Sequence, residues 1–297
     1  MTWFWLAILS ALLSAAAAIL QKKALHDLKA LDFTLLMSAF AAVLSAPLFA
    51  ITDFSNLNTL SFLYLFIKSV LNALAFLCIM TALKNLDLGR TLPILASSPM
   101  VIALLAFIFL GEDLKLIEVA GMMLIVIGTY ILELKKNESF LYPFLVFKKS
   151  GYHRIIIAAL LLMSVSSVMD KFILVKFKLP PVLFVAVQNY IFFVIFFLIF
   201  MFIRLRSGTG FSFSLFAKNK SSLLFVIFVI SILTIGYRLA QIEAVKLAPV
   251  GIVISLKRLS VLFAVLIGAR IFKEESYLKK IFVTILIVAG AMMIYED

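Results

Sequence analysis

Two adjacent cations, Lys257 and Arg258, interrupt an apolar run that extends from Val250 to Ile267. At 1.5 Å of helical rise per residue, they lie roughly 12 Å inside the run. If the run crosses a bilayer, each charge costs roughly 2.5–3.5 kcal/mol on insertion scales, so the fold must compensate it. A structural ion pair with Asp170 or Glu243 would do so. A bound anionic solute would also do so, and the pattern favours the solute.

A second polar group precedes the pair in the eighth apolar run. Arg238 and Gln241 are three residues apart and therefore share one helix face, with Tyr237 beside them. Arg238 has an alternative role, because an ion pair with Glu243 or an extended conformation towards the nearby loop would also accommodate its charge. The spacing is equally consistent with a face directed at a solute.

Three further polar side chains complete the candidate set, namely Asn72, Lys171 and Asn189. Asn72 lies in the third run, where an interhelical hydrogen bond is the alternative role. Lys171 ends the sixth run beside Asp170, and Asn189 lies early in the seventh. Lys68, six residues into the third run, is expected to extend to the membrane interface.

Composition indicates the environment in which these residues act. Apolar residues make up 65% of the 297-residue chain and charged residues 14%, against about 45–50% and about 25% in soluble domains. An integral membrane protein follows. A single cysteine, Cys78, and two distant histidines disfavour disulfides, metal sites and catalysis, and no cofactor motif appears. The net charge of +12 lies mostly in short loops, so topology explains it better than nucleic acid does.

The apolar runs are each long enough for a membrane-spanning helix of about 20 residues. Since lipid offers no hydrogen-bond partners, an all-α bundle is expected. The sequence predicts ten transmembrane helices, at about 3–21, 33–52, 62–83, 89–110, 115–133, 154–175, 182–203, 222–243, 249–269 and 278–295.

The chain also repeats itself. A shift of 162 residues places 82–132 on 244–294 without a gap, with Gly89 on Gly251 and Glu112 on Glu274, and a shift of 149 places Lys22 on Lys171. The predicted units are 1–134, a basic connecting loop 135–153, and 154–297. Because five helices are an odd number, two such halves are inverted relative to each other, as in secondary transporters. One chain then suffices for a site, and a dimer is left open.

Loop charges predict the orientation. The N-terminus and the even-numbered loops share one side, which carries five Lys and Arg residues, whereas the other side carries eighteen. Because cytoplasmic loops are enriched in Lys and Arg, both termini are expected outside the cytoplasm.

Two corresponding stretches, ALKNLDLGRTLPILASSPMVIALLAFIFLGEDL and AVKLAPVGIVISLKRLSVLFAVLIGARIFKEES, resemble the EamA repeats of the drug/metabolite transporter superfamily. The resemblance implies a ten-helix bundle in a bacterial-type inner membrane that moves a small solute by alternating access. Lys257-Arg258 is similar to the Lys-Arg pair that holds phosphate in the phosphate-translocator branch. The small multidrug-resistance branch carries a glutamate in its first helix, and Ser14 to Ala18 offer no carboxylate.

The balance of deep charges predicts the kind of solute. The candidate cations are Lys171, Arg238, Lys257 and Arg258, and the acids within reach are Asp170 and Glu243. A surplus of positive charge predicts a carrier for a small anionic or zwitterionic metabolite, such as an amino acid, a carboxylate or an organic phosphate. A lipid-precursor flippase and an exporter of amphipathic amines or drugs are the alternatives.

Overall fold

The computed structural model describes residues 2–28, 30–85, 95–133, 151–207, 221–263 and 277–295. Within these segments every regular element is helical. The α-helices are α1 (Thr2–Asp27), α2 (Ala30–Ser45), α3 (Thr59–Asn85), α4 (Ser98–Leu110), α5 (Leu116–Glu133), α6 (Gly151–Lys176), α7 (Pro181–Ser207), α8 (Ser221–Leu247), α9 (Val250–Lys257) and α10 (Tyr277–Tyr295). A 3-10 helix, Ala46–Ile51, extends α2.

The α-helices named above differ in length, and α9 is the shortest of them with eight residues. Six contain spans of 21 to 26 residues that are long and apolar enough to cross a membrane, in α1, α2 with its 3-10 extension, α3, α6, α7 and α8. The helices α4, α5 and α10 are apolar but shorter. The predicted all-helical membrane architecture is therefore confirmed in outline, and the count of ten spans stays a prediction.

The fourth and ninth predicted spans, 89–110 and 249–269, are not continuous in their described parts. The chain turns at Ser97 immediately before α4, and Pro99, in the first turn of α4, has no N–H to donate to a preceding carbonyl. It turns again at Arg258 after α9, before a further helical stretch at 259–263. Because the 162-residue shift places Ala96 on Arg258, the two breaks lie at nearly equivalent positions. Ser97 and Arg258 both keep right-handed helical dihedral angles, so each interruption is a local irregularity of the helix and not an unwound segment.

The largest helix–helix contacts join the two halves of the chain. Helix α1 packs on α8 and α3 packs on α6, and the repeat relates these two pairs to each other. Helices α2, α4 and α5 each pack on their own counterparts, α7, α9 and α10. The halves are thus interleaved about a pseudo-twofold axis.

Glycines permit the closest of these symmetric contacts, between α5 and α10. A Cβ at Gly290 would lie 2.5 Å from the Gly121 carbonyl oxygen, and a Cβ at Gly121 would lie 2.6 Å from the Gly290 carbonyl oxygen. Both distances are too short for any side chain. Small residues at such crossings are typical of membrane helix pairs, which associate through close packing.

Both termini lie on one side of the bundle, because the Phe4 and Tyr295 rings are 4.8 Å apart. The loops after α2 and α6 lie on the same side of the bundle as the termini, and they contact each other there. Asn56 Nδ2 donates to the Lys178 carbonyl oxygen at 3.3 Å. We call the side that carries the termini and the loops after α2, α4, α6 and α8 the terminal side. Which side faces the cytoplasm stays a prediction.

Apolar packing fills the bundle towards the terminal side. Leu179, Leu183 and Phe184 at the start of α7 are fully buried, as are Val245 near the end of α8 and Val250 at the start of α9. These residues belong to one large apolar cluster that also includes residues of α1, α4, α5 and α10. The cluster separates the middle of the bundle from its terminal side.

Candidate functional site

A cavity of about 330 Å³ occupies the middle of the bundle, where eight of the described helices meet around it. Its lining includes seven of the eight sequence-predicted candidates, namely Asn72, Asn189, Tyr237, Arg238, Gln241, Lys257 and Arg258. Residues separated by more than 180 positions in sequence therefore lie around a single cavity. The eighth candidate, Lys171, lies elsewhere.

The carboxylate of Asp170 forms the centre of a buried charge network. Its Oδ2 lies 2.7 Å from Arg238, which donates from a terminal guanidinium nitrogen, and its Oδ1 lies 2.8 Å from Lys68 Nζ. The Gln188 side-chain oxygen accepts from the same two cations, at 2.8 Å from Lys68 and 3.2 Å from Arg238. Arg238 therefore pairs with Asp170, and the expected alternative pairing with Glu243 is wrong.

Lys68 corrects a further sequence expectation. Its side chain is fully buried, with its Nζ 4.8 Å from the Phe184 ring centre, so it does not extend to the interface. Because α3 begins at Thr59, Lys68 lies nine residues into the helix, about 13 Å deep. The helix begins at Thr59, three residues before the predicted start of the third span at 62. A correct start would have placed Lys68 at the depth of the other deep cations. Only its position on the face towards α6 and α7 required the structure.

The direct contacts of the Lys257 ammonium among the described residues are with neutral groups. Its Nζ donates to the Gln241 side-chain oxygen at 2.5 Å and lies 4.6 Å from the Tyr237 ring centre. Of the described carboxylates, none lies within ion-pair distance of this ammonium. The expected alternative, a structural ion pair with Asp170 or Glu243, is therefore not found for Lys257.

Arg258 has a different environment although it is the next residue. Its guanidinium donates to the Leu95 carbonyl oxygen at 2.6 Å and to the Ser98 hydroxyl. These acceptors flank the turn at Ser97, whereas Arg258 itself forms the turn after α9. The side chain thus connects the irregular turn of the fourth predicted span to the irregular turn of the ninth. Arg258 borders the cavity but also holds its two interrupted helices together.

The amides of the lining are partly engaged within the protein. Asn189 Nδ2 donates to the Ser45 hydroxyl at 2.8 Å, which ties α7 to the end of α2. Gln188 and Gln241 use their oxygens to accept from cations. Because an amide group with an occupied oxygen still has N–H donors, such residues favour acceptor groups in a solute.

Lys171 lies towards the terminal side, in what we call the Glu112 cluster. Its Nζ donates to the carbonyl oxygens of Val245 and Ala248, at 2.8 and 2.9 Å, and lies 3.7 Å from Glu112 Oε1. The other Glu112 oxygen accepts from the Val250 N–H at 3.0 Å. Burial raises the pKa of the Glu112 carboxyl, although the Val250 N–H and Lys171 act in the opposite direction. Lys171 is therefore not among the lining residues of the central cavity, and its role in binding a solute stays a prediction.

The cavity follows the pseudo-twofold axis of the bundle. Of its described lining residues, sixteen form eight pairs that shifts of 149 residues in α1, 151 in α2 and 162 in α3 relate between the two halves. The pairs are Ser14 and Met163, Gln21 and Asp170, Met37 and Gln188, Ser38 and Asn189, Ala41 and Phe192, Asn72 and Thr234, Phe76 and Arg238, and Ile79 and Gln241. The charged members all belong to the second half, whereas the first-half members are uncharged and divide equally into polar and apolar side chains.

The residues that sequence reasoning missed are those whose importance depends on neighbours. Asp170 entered only as a counter-ion and Lys68 as an interfacial residue, and Gln188 was not among the candidates. In the structure these three form a single network with Arg238. In the part of the chain that is described, no group of three or more metal-ligating side chains occurs. The site is therefore defined by charge and hydrogen-bond donors.

A sequence model of the EamA-like transporter family matches residues 1–134 and 151–296. The chain belongs to this family. The match includes both halves, as the internal repeat and the paired lining of the cavity require. Membership makes the protein an integral membrane transporter of the drug/metabolite transporter superfamily, with a small-molecule substrate and a lipid environment. The family assignment points to transport and not to catalysis.

The EamA-like fold is also supported by a solved structure. The protein in this crystal structure is 16% identical in sequence to the present chain, and the two folds superpose with a TM-score of 0.70. The superposition covers 98% of the present chain and 95% of the chain in the crystal structure. At this identity the likeness concerns the fold alone. A comparison with curated protein sequences found no match.

Proposed function

We propose that this EamA-like protein carries a small anionic or zwitterionic metabolite across the membrane by alternating access. The surplus of positive charge supports this proposal. Three cations and one carboxylate belong to the described lining of the cavity, and that carboxylate already contacts Lys68 and Arg238. Ionisable groups at membrane depth are rare and usually functional.

Lys257 is the observation that carries the proposal. Its ammonium contacts an amide oxygen and an aromatic ring, which stabilise a cation without neutralising it. A buried charge without a counter-ion is expensive, and an acidic group of the solute would supply that counter-ion. Because a lysine ammonium is a compact point charge on a flexible stem, it suits a carboxylate or a phosphate equally well.

The size and polarity of the cavity limit the solute further. A volume of about 330 Å³ lies at the lower end of the range of roughly 300–1,000 Å³ that is typical of small-molecule sites. An amino acid or a small organic phosphate is of this size. Its acidic group would lie against Lys257 and Arg238, and the remainder would contact the apolar side chains of Met37, Phe76 and Ile79.

The distribution of packing supports alternating access. The apolar cluster and the Glu112 cluster close the protein towards its terminal side, whereas Gln21, Ile79 and Met163 extend the cavity lining in the opposite direction. The inverted repeat offers an equivalent arrangement in which the opposite side is closed. Transport would then alternate between these two arrangements around one central site.

The two alternative functions receive less support. An amine exporter needs an available carboxylate, and Asp170, the one carboxylate of the described lining, is held by two cations. A flippase for an acidic lipid precursor uses the same cations as a metabolite carrier. Lipid precursors are therefore included in the test below.

Uptake by reconstituted protein tests the proposal. Liposomes containing the purified protein would be supplied with labelled amino acids, dicarboxylates, organic phosphates, amines and lipid precursors. We expect uptake of an anion or zwitterion, and a loss of about 30-fold or more in Lys257→Gln, because truncating one partner of a buried charge pair costs about 2–5 kcal/mol. The matched control is Lys176→Gln at the exposed end of α6, which should retain wild-type uptake. Uptake of amines alone, or wild-type uptake by Lys257→Gln, would contradict the proposal.

A further inference from the structure

The Asp170 network contains two cations with different exposure, and this difference suggests different roles. Lys68 is fully buried, lies behind the cavity wall and contacts Asp170 Oδ1 at 2.8 Å. Arg238 is 13% exposed, lines the cavity and contacts Asp170 Oδ2 at 2.7 Å. The same carboxylate thus joins one cation that a solute cannot reach to one that it can.

The guanidinium of Arg238 retains hydrogen-bonding capacity. Its contacts with Asp170 and Gln188 both use one terminal nitrogen, and its Nε is buried without an acceptor among the described residues. A buried donor without a partner is uncommon in folded proteins and calls for an explanation. An oxyanion entering the cavity could accept from this donor, because guanidinium groups bind carboxylates and phosphates through two N–H donors.

We propose that Asp170 acts as an internal counter-ion that occupies Arg238 in the empty carrier and is displaced from it by the acidic group of the solute. The proposal rests on the proposed function, because it assigns the same cavity to an anion. Lys68 makes the exchange feasible, since Asp170 keeps its contact with Lys68 when Arg238 turns to the solute. Neither Asp170 nor Arg238 is then left without a charged partner at either stage.

The exchange has a consequence for affinity. A solute binds only to the fraction of molecules in which Arg238 is available, so its apparent dissociation constant is raised by the inverse of that fraction. Asp170 would therefore weaken binding of anions in the resting carrier and favour their release. It would also exclude solutes that bind too weakly to compete with a carboxylate for the guanidinium.

Charge alone would also make Asp170 oppose anions, so the test must separate competition from electrostatics. The double variant Lys68→Gln with Asp170→Asn removes one cation and one anion together and leaves the net charge of the site unchanged. Electrostatic repulsion predicts unchanged affinity for an anion in this variant. Competition for Arg238 predicts tighter binding, because the internal competitor is gone.

The experiment titrates inorganic phosphate against the purified full-length protein and follows thermal unfolding. We expect the double variant to bind phosphate about tenfold more tightly than wild type. The control Asp113→Asn removes an exposed loop carboxylate and should bind phosphate like wild type. Equal or weaker phosphate binding by the double variant, or no phosphate binding by either protein, overturns the proposal. A purely structural role for Asp170 predicts lower thermal stability with no gain in affinity.

A second measurement uses wild-type protein and so does not depend on the folding of a variant. Infrared difference spectra of protein containing isotope-labelled aspartate report on carboxylates whose contacts change. Phosphate should shift one buried aspartate band, because Asp170 loses its contact with Arg238, and Asp113→Asn should retain the shift. An unchanged aspartate region at saturating phosphate contradicts the exchange.

The inference and the proposed function fail separately. If the double variant still binds phosphate more tightly after Lys257→Gln is added, the exchange at Arg238 stands. The proposed role of Lys257 as the main anion contact is then wrong. If Lys257→Gln abolishes phosphate binding while the double variant gives no gain, the anion site stands and the exchange is wrong.

Discussion

The two halves of this EamA-like protein agree in packing and differ in chemistry. The contact of α1 with α8 repeats in the contact of α3 with α6, and Gly121 and Gly290 approach each other's backbones at nearly equal distances. At equivalent lining positions, however, Phe76 corresponds to Arg238 and Ile79 to Gln241. The repeat therefore determines which positions face the cavity, and the residue types at those positions determine which wall can hold a charged group.

The largest difference between the halves is expected at Phe76 and Arg238. Arg238→Leu should lower anion transport by about 100-fold or more, because it removes a cation from a buried pair. Lys68 still contacts Asp170 in this variant, so folded protein should be retained. Phe76→Leu at the equivalent position should lower transport by less than about tenfold, since it only trims an apolar side chain. Initial uptake rates in liposomes measure both, and equal losses would contradict the division of roles.

The next difference is expected at Ile79 and Gln241. Gln241→Leu removes the acceptor of the Lys257 ammonium, and a hydrogen bond to a charged group contributes about 1.5–3 kcal/mol. We expect anion affinity to fall by about tenfold or more, because Lys257 is then held only by the Tyr237 ring. Ile79→Leu preserves volume and should leave affinity close to that of wild type. Binding isotherms distinguish the two variants, and an unchanged affinity in Gln241→Leu would show that Lys257 is positioned by other groups.

Packing should show the opposite behaviour, with equal effects in the two halves. Gly121→Ala and Gly290→Ala each place a methyl group against the backbone oxygen of the other helix. Each substitution should destabilise the protein by about 1–3 kcal/mol, the usual cost of overpacking. Thermal unfolding in detergent measures both variants. A clear difference between them would mean that the pseudo-twofold symmetry does not extend to the energetics of the α5–α10 contact.

The smallest effects are expected at Asn72 and Thr234, where both halves offer an uncharged polar group. Interhelical hydrogen bonds in membrane proteins average about 0.6 kcal/mol. Asn72→Ala and Thr234→Ala should therefore each change the unfolding equilibrium constant and the anion dissociation constant by no more than about threefold. A large loss of affinity in one variant alone would identify that residue as a direct contact of the solute.

Sequence reasoning predicted the features that depend on local composition. Apolar runs predicted the helices, because every backbone group in lipid must be paired within its own segment. The gap-free shift between 82–132 and 244–294 predicted the repeat that the family match includes. It did not predict the turns at Ser97 and Arg258, since the apolar pattern continues through both. Such interruptions depend on contacts with other helices.

Depth in the membrane was the property of the candidate residues that the sequence alone could supply. Lys257, Arg238 and Gln241 border the cavity as expected. Lys68 was misplaced and Lys171 lies outside the cavity lining, because depth does not specify which way a side chain points around a helix. The direction depends on neighbours in other helices, namely Asp170 for Lys68 and Glu112 for Lys171.

The interleaving of the halves has a consequence for how the protein is made. Helices α1 and α3 find their main partners, α8 and α6, only in the second half of the chain. A nascent polypeptide that ends after α5 has therefore inserted several helices whose contact faces still lack their partners. Assembly of the finished bundle must wait for late translation, and two separately synthesised half-chains should need each other to escape quality control.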